Sequence, residues 1–157
     1  MRELPPEPEL PPRYPVAIRL YFAGPLFTSA ERAWNADLAG RLVAAGHDVF
    51  LPQDQETDGS DPAGVFRNDR DHVDWAEALV AVMDGPDPDS GTSWECGYAY
   101  GTGKPVILVR TDFRGHSPVA PYNAMLTESA TVRLDLPTAA MDEVAAAVLA
   151  ALQELSA

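Results

Sequence analysis

The sequence predicts an α/β fold in which a doubly wound, flavodoxin- or Rossmann-like, mostly parallel five-stranded sheet is flanked by helices. Five short apolar runs alternate with helical patterns, and this order of elements produces a parallel sheet. The runs are almost continuously apolar, as expected for strands that are covered on both faces. The length of 157 residues and the hydrophobic content of 46% suit one globular domain.

The chain divides into an arm and a domain. Residues 1–15 contain six prolines and little apolar periodicity, which predicts an extended, Pro-rich arm. Residues 16–157 are expected to form a single domain without an internal repeat. The five strands of this domain are expected at residues 17–23, 47–52, 79–83, 105–109 and 131–136.

Capping residues mark the starts of the helices. Thr28 and Glu31 form a capping-box pattern, and Gly46 is placed to end the first helix. Asp61 as N-cap, with Pro62 at the first helical position, opens the second helix. Two further helices are expected, a short one within residues 89–105 and one with apolar i, i+3, i+4 spacing over residues 139–155.

The functional side chains are expected at one edge of this sheet. Ligands of doubly wound sheets bind beyond the carboxyl ends of the strands. The loops that follow strands cover residues 23–27, 52–59, 84–92 and 110–123.

The composition excludes several classes of partner. The formal net charge is −13 and Lys104 is the only lysine, so the chain lacks the cationic clusters that bind nucleic acid, and a small neutral substrate is more compatible. The three histidines show no metal-ligand spacing, and the single cysteine excludes an internal disulfide. No apolar run reaches 18 residues and no signal peptide is evident, so we expect a soluble, cytoplasmic protein without membrane contact.

Familiar cofactor motifs do not fit this chain. In GTGKP, Tyr98 and Pro105 occupy the positions where a phosphate-binding loop needs Gly and Ser or Thr. In the segment that starts with DQETDG, Val65 stands where a calcium loop needs Glu. No G-x-G-x-x-G follows the first strand, and no Ser-His-Asp arrangement can be built. We therefore expect neither a metal nor an organic cofactor.

Glu95 has two interpretations. Thr92-Ser-Trp-Glu95 fits a capping box, which would make Glu95 a helix cap. The surrounding glycines, Gly91 among them, are more than a helix normally carries, and they allow close approach of the backbone to a ligand. A carboxylate in the first helical turn is held ionised by the helix dipole, as a glycosyl-transferring nucleophile requires. The residues alone leave cap and nucleophile as alternatives.

Three other side chains are candidates for the same edge. Asp69 shares the apolar face of its helix with Val65 and Val73, where a carboxylate is either partnered or functional. Asp89 lies in an Asp-rich loop that turn chemistry explains equally well. Tyr21, near the end of the first strand, is either a core aromatic or a hydroxyl that reaches the site.

Five collinear segments resemble the nucleoside 2-deoxyribosyltransferases. The D-S-G-T-x-x-E-x-G-Y-A block is the most specific, and Y-x-A-G-P after the first strand supports it. The Pro-rich arm has no counterpart in this pattern. The segments are YFAGPLF at 21–27, PQD at 52–54, RND at 67–69, VAVMDGPDPDSGTSWECGYAYGTGKPV at 80–106 and PYNAML at 121–126.

The resemblance implies roles for the candidates. Glu95 matches the nucleophile of that family, and Tyr21 matches the tyrosine that holds it by a hydrogen bond. Asp69 and Asp89 match the acids that contact nucleobase and sugar and help to protonate the departing base, although family members also have Asn at the position of Asp69. Substrate-binding residues are implied at Gly24, Phe27, Gln53, Glu56, Gly91, Asn123 and Met125.

The resemblance also implies the partners. Asn123 and Met125 match a segment that a neighbouring subunit lends to the site, with Asn123 on the 5′-hydroxyl. A homo-oligomer built from dimers is therefore implied, with Asn123 contributed across the interface. The implied ligands are 2′-deoxyribonucleosides and free nucleobases, and the choice between purines and pyrimidines stays open.

The implied activity is transfer of the 2-deoxyribosyl group between nucleobases by a retaining double displacement through a covalent glutamyl intermediate. Two alternatives stay open. One is a hydrolase that removes the base from 2′-deoxynucleoside 5′-monophosphates, which the apolar loop GPLFTS disfavours because no Arg occurs before Arg32. The other is a non-catalytic nucleotide-binding module on the same fold.

Overall fold

A computed structural model describes residues 16–55, 59–114 and 121–156. The predicted arm at residues 1–15 and the candidate Glu56 lie outside the described residues. A 3-10 turn at Pro52–Asp54 follows the second strand. The strands and α-helices are β1 Arg19–Ala23, α1 Ser29–Ala44, β2 Asp48–Phe50, α2 Pro62–Trp75, β3 Ala78–Val82, α3 Ser90–Gly101, β4 Val106–Arg110, α4 Ala124–Ser129, β5 Val132–Asp135 and α5 Met141–Leu155.

The five strands form one parallel sheet in the order β2-β1-β3-β4-β5, with helices on both faces. The predicted doubly wound fold is therefore confirmed. The chain runs outward from β1 to β2 and then crosses back to β3 on the other side of β1. The loops after β1 and β3 consequently face each other at the point where the strand order reverses, which is where such sheets bind ligands.

Alternating side chains of β1 enter two separate core clusters. Leu20 and Phe22 pack in the cluster beneath α1 and α5. Tyr21 and Ala23 point to the opposite face and pack with Cys96 of α3. This alternation follows from the period of two residues along a strand. Tyr21 is thereby directed into the layer of α2 and α3.

The predicted caps of the first two helices are confirmed. Thr28 Oγ1 accepts the backbone N–H of Glu31, and the Glu31 carboxylate accepts the backbone N–H of Thr28. Asp61 caps α2 by accepting the N–H of Gly64. These reciprocal bonds satisfy donors that a helix start leaves unpaired.

The sequence does not predict α4. The Asn123 carboxamide caps this six-residue helix by accepting the N–H of Met125 at 2.7 Å. Tyr122 and Leu126 anchor the segment in the core cluster that contains Cys96. A helix this short shows too few apolar repeats for its period to be recognised.

The helices within residues 16–55, 59–114 and 121–156 include none with the length and hydropathy of a membrane span.

Candidate active site

Tyr21 and Glu95 meet on the α2–α3 face of the sheet. Tyr21 Oη donates a hydrogen bond of 2.6 Å to Glu95 Oε1. The Tyr21 ring stacks on Phe50, with ring centroids 5.3 Å apart, and Phe50 in turn stacks on His72 at 3.7 Å. Because Tyr21 is fully buried and its ring is packed in this way, its hydroxyl holds the Glu95 carboxyl group in one position.

Glu95 is not a helix cap. The N-cap of α3 is Asp89, which accepts the N–H of Thr92, and the helix begins at Ser90. Glu95 is therefore in the second turn, so both the predicted capping box and the predicted position in the first turn are wrong. The error arises because Asp89-Ser-Gly-Thr92 and Thr92-Ser-Trp-Glu95 offer start signals three residues apart.

The surroundings of Glu95 oppose its expected ionisation. Burial raises the pKa of the Glu95 carboxyl group to about 7. The hydrogen bond from Tyr21 opposes this rise, while the nearby charges of Asp69 and Asp89 add to it. A desolvated carboxylate beside two other acids is disfavoured as an anion. Glu95 consequently changes its charge near neutral pH.

Asp69 is a second acid with an altered environment. It lies on α2, partly buried, and its charge acts on both Tyr21 and Glu95. Burial raises the pKa of the Asp69 carboxyl group, which the hydrogen bond from Asn68 and the charge of His72 partly offset. A carboxyl group that holds its proton more firmly is better suited to act as a general acid.

Asp89 combines a structural bond with a free oxygen. Its Oδ2 accepts the Thr92 N–H at 2.9 Å and the Thr92 hydroxyl at 3.2 Å. Its Oδ1 accepts no hydrogen bond from the described residues and is available for a ligand. Gly91 belongs to this arrangement, because a Cβ at that position would lie 3.1 Å from Asp89 Oδ2 and press on the capping carboxylate.

The loop after β1 brings its backbone close to β3. A Cβ on Gly24 would lie 3.2 Å from Val82 Cβ, which is tighter than ordinary van der Waals contact. Gly24 therefore permits the loop to pass over the end of β3. Phe27, three residues further on, has 72% of its surface exposed and is free to cover a ligand.

Gln53 is bound to α1 at both ends of its carboxamide. Its Nε2 donates to the Arg32 carbonyl at 2.8 Å, and its Oε1 accepts from Asn35 Nδ2 at 3.2 Å. The predicted substrate residue thus links the loop after β2 to α1. The oxygen and the nitrogen of the Gln53 carboxamide are therefore both hydrogen-bonded to described residues of the chain.

Asn35 is a buried polar residue beside the loop after β1 that was not predicted. Its exposure is 3%, and its Nδ2 donates to the Pro25 carbonyl at 2.9 Å as well as to Gln53. Asn35 therefore joins the loops after β1 and β2. Asn35 could have been recognised from the sequence, because it is a polar residue on the same helix face as Leu38 and Leu42. The same criterion identified Asp69.

Two further residues, Asp84 of the Asp-rich loop and the unpredicted Arg110, brace the loops after β3 and β4. Buried Arg110 donates to the carbonyls of Met83 and Arg114 at 2.6 and 2.9 Å. The Asp84 carboxylate accepts the N–H groups of Thr111 and Asp112 and the hydroxyl of Thr111. Arg110 could have been recognised from the sequence, because it is a charged residue directly after the apolar run PVILV.

Asn123 and Met125 lie at the start of α4, which packs against α3. Asn123 caps α4, and Met125 has 79% of its surface exposed. Neither makes a hydrogen bond to Glu95, Tyr21 or Asp89 in the part of the chain that the structure describes. Of the predicted catalytic residues, the described part of the chain places Tyr21, Glu95, Asp69 and Asp89 close enough to interact.

The same described residues contain no group of three or more His, Cys, Asp or Glu that could hold a metal ion. The chemistry open to this arrangement is that of neighbouring carboxyl groups. A buried carboxyl group fixed by a tyrosine, beside a second acid whose pKa is also raised, is suited to nucleophilic attack combined with protonation of a leaving group.

Comparison with known proteins agrees with this geometry. Residues 20–148 match the family model described as nucleoside 2-deoxyribosyltransferase. No curated protein matches the chain. Among solved structures, the 2-deoxyribosyltransferase of the psychrotolerant bacterium Bacillus psychrosaccharolyticus is 27% identical, with a TM-score of 0.67 over 85% of this chain and 95% of that chain.

Two more distant structures share the fold. The 2-desoxiribosyltransferase of Leishmania mexicana is 21% identical, with a TM-score of 0.67 over 87% of this chain and 97% of that one. The CMP N-glycosidase of Clostridium botulinum is 19% identical, with a TM-score of 0.63 over 85% of this chain and 98% of that one. On the family match and the 27% identical enzyme, the chain belongs to the nucleoside 2-deoxyribosyltransferase family of pentosyl transferases.

Proposed function

We propose that this protein transfers the 2-deoxyribosyl group between nucleobases of 2′-deoxyribonucleosides by double displacement, with Glu95 as the nucleophile. The observation that carries the proposal is the 2.6 Å hydrogen bond from Tyr21 to a Glu95 carboxyl group whose pKa burial raises to about 7. A desolvated carboxylate is a stronger nucleophile than one in water, and Tyr21 keeps it oriented.

The first half of the reaction removes the base. Glu95 attacks C1′ with an electron pair of its free oxygen as the bond from C1′ to the base nitrogen breaks. The departing base keeps the electron pair of the broken C1′–N bond and takes a proton from Asp69 or Asp89. Asp69 suits the acid role because burial raises the pKa of its carboxyl group. The product is a deoxyribosyl ester of Glu95.

The second half returns the enzyme to its starting state. A nitrogen of the incoming base attacks C1′, the ester bond to Glu95 breaks, and the carboxylate leaves with the bonding electrons. The proton lost by the incoming base returns to the acid. Two inversions at C1′ give net retention. Neither half requires a metal or an organic cofactor.

The substrates on this proposal are 2′-deoxyribonucleosides and free nucleobases. Asn123 and Met125 make no hydrogen bond to Glu95 among the described residues, and Met125 is left exposed. A second copy that brings its own Asn123 to the 5′-hydroxyl would complete the site. The proposed working unit is therefore a dimer, or an oligomer built from dimers.

The first test mixes the protein with deoxyinosine and adenine and follows both by chromatography. Deoxyadenosine with hypoxanthine is the expected result. Hypoxanthine without deoxyadenosine would support hydrolysis, and the hydrolase alternative is then examined with thymidine against thymidine monophosphate. Saturable binding with no release of base over long incubation would support a binding module.

The nucleophile is tested separately. Glu95→Ala should abolish transfer, and Glu154→Ala on the exposed surface of α5 serves as the matched control. Mass spectrometry of the parent protein with deoxyinosine alone should show a mass increase of one deoxyribosyl group, which Glu95→Ala lacks. Near-normal transfer by a folded Glu95→Ala protein would overturn the mechanism.

A further inference from the structure

A cavity of about 500 Å³ opens at the carboxyl edge of the sheet, on the face opposite to Glu95. Val82, in its wall, belongs to the core cluster beneath α1 and α5, whereas Tyr21 belongs to the cluster on the other face. The volume lies within the range of small-molecule pockets, about 300–1,000 Å³. None of the proposed catalytic residues lines this cavity.

The walls of the cavity are mainly apolar and aromatic. Trp34 of α1 and Phe113 of the loop after β4 both line it, and Phe113 has 73% of its surface exposed. Pro25, Ala30 and Val82 supply aliphatic surface. Aromatic side chains favour planar ligands through stacked or edge contacts. The walls therefore select a flat molecule.

The charged groups around the cavity already have partners within the chain. Asp84 accepts from Thr111 and Asp112, and Asp112 is paired with Arg114. The Glu31 carboxylate accepts N–H groups at the start of α1. An anionic ligand would face these carboxylates and find no unpaired cation in the lining. The cavity is consequently suited to a ligand without negative charge.

Asn35 supplies one directional contact. Its Nδ2 is used by the Pro25 carbonyl, which only accepts hydrogen bonds, so the orientation of the carboxamide is determined. Its Oδ1 accepts no hydrogen bond from the described residues. The Asn35 side chain is 3% exposed and lines the cavity. Its Oδ1 therefore gives a ligand in the cavity one acceptor for an N–H donor.

We propose that this cavity is a second binding site, which takes a planar, uncharged heteroaromatic molecule that donates a ring N–H to Asn35 Oδ1. The site is separate from Glu95, and the inference does not depend on the reaction proposed there. Failure of the transferase assay would therefore leave it standing, and its own failure would leave the transferase standing.

Indole and 1-methylindole form the test pair, because both are flat and uncharged and only indole carries an N–H. Each is titrated into the full chain, and backbone amide shifts are followed by NMR. Indole should give saturable shifts centred on Ala30, Trp34 and Phe113. Binding of 1-methylindole should be about tenfold weaker, since the Asn35 acceptor would be buried without a partner.

Two variants on α1 locate the site. Ala30→Phe fills the cavity from its rim and should abolish the saturable shifts, whereas Ala33→Phe, exposed on the same helix and outside the cavity, should retain them. Equal affinities for the two probes, shifts centred on Glu95 instead, or indole binding unchanged in Ala30→Phe would each overturn the proposal.

Discussion

Replacing Tyr21 by phenylalanine removes one hydroxyl group and keeps the ring that stacks on Phe50. The hydroxyl is the donor to Glu95 Oε1, and this bond stabilises the carboxylate against burial and against the charges of Asp69 and Asp89. Since burial and the Glu95 charge raise the pKa of Tyr21, the phenol stays a donor throughout the working range of pH. Tyr21→Phe should therefore raise the pKa of Glu95 further above 7.

The size of this effect follows from the geometry. A hydrogen bond to a charged, partly buried group contributes about 1.5–3 kcal/mol, and each pKa unit corresponds to about 1.4 kcal/mol. Loss of the bond should raise the pKa of Glu95 by about one to two units. Because the nucleophile must be ionised, transfer increases with pH through that pKa, and the rising limb of the rate profile should move toward alkaline pH.

The assay is the kcat for deoxyribosyl transfer from deoxyinosine to adenine, measured across this pH range. Tyr98→Phe is the matched control, because Tyr98 also lies on α3 and donates to a carboxylate, that of Asp74, at 2.9 Å and away from Glu95. In Tyr98→Phe, the rising limb of the pH–rate profile should stay near pH 7. If Tyr21→Phe lowered kcat equally at every pH without moving the limb, Tyr21 would not set the charge of Glu95 and the reasoning would be refuted.

Three further predictions concern stability and binding. The pKa of Glu95 is about 7 in the fold against an ordinary 4.5, so its contribution to the free energy of unfolding is present below about pH 4.5 and is lost as pH rises through 7. The free energy of unfolding of Glu95→Gln, measured in urea relative to that of the parent, should therefore increase by about 3 kcal/mol from low to high pH. A difference between the two proteins that does not change with pH would contradict the raised pKa. Gly24→Ala should lower the free energy of unfolding by about 1 kcal/mol, because its Cβ would press on buried Val82, and a neutral urea midpoint would show that the loop can yield. Asn123→Ala removes the cap of α4 and should lower the free energy of unfolding by about 1 kcal/mol, as Asp61→Ala should by removing the cap of α2. Only Asn123→Ala should also raise the KM for deoxyinosine, and equal KM values for the two variants would argue against Asn123 at the substrate.

The fold could be predicted because its signals are local. Apolar runs that are buried on both faces mark β1, β3 and β4, and residues such as Thr28 and Asp61 mark helix starts through bonds to N–H groups only three residues away. The family resemblance then placed Tyr21 beside Glu95, although they are 74 residues apart, and the structure joins them by a hydrogen bond.

The start of α3 could not be predicted in the same way. Two capping patterns overlap there. Which of them starts the helix depends on where β3 ends and how the following loop approaches Glu95. Burial of Thr92, Cys96 and Ala99 against the sheet selects the register that begins at Ser90. Helix α4 was missed for the related reason that Tyr122 and Leu126 hold it by tertiary packing and not by periodicity.

The sequence by itself determined the parallel α/β architecture, the edge at which the side chains collect, and the chemical identity of the groups there. Only the tertiary structure decided the protonation of Glu95, because desolvation and the distances to Tyr21, Asp69 and Asp89 have no local signature. The brace at Asn35, and the cavity beside it, likewise exist only when the loop after β1 is folded against α1. Short-range hydrogen bonds and periodicity can be recognised from residues that are close together in the sequence, whereas burial and electrostatic coupling depend on which distant segments come together.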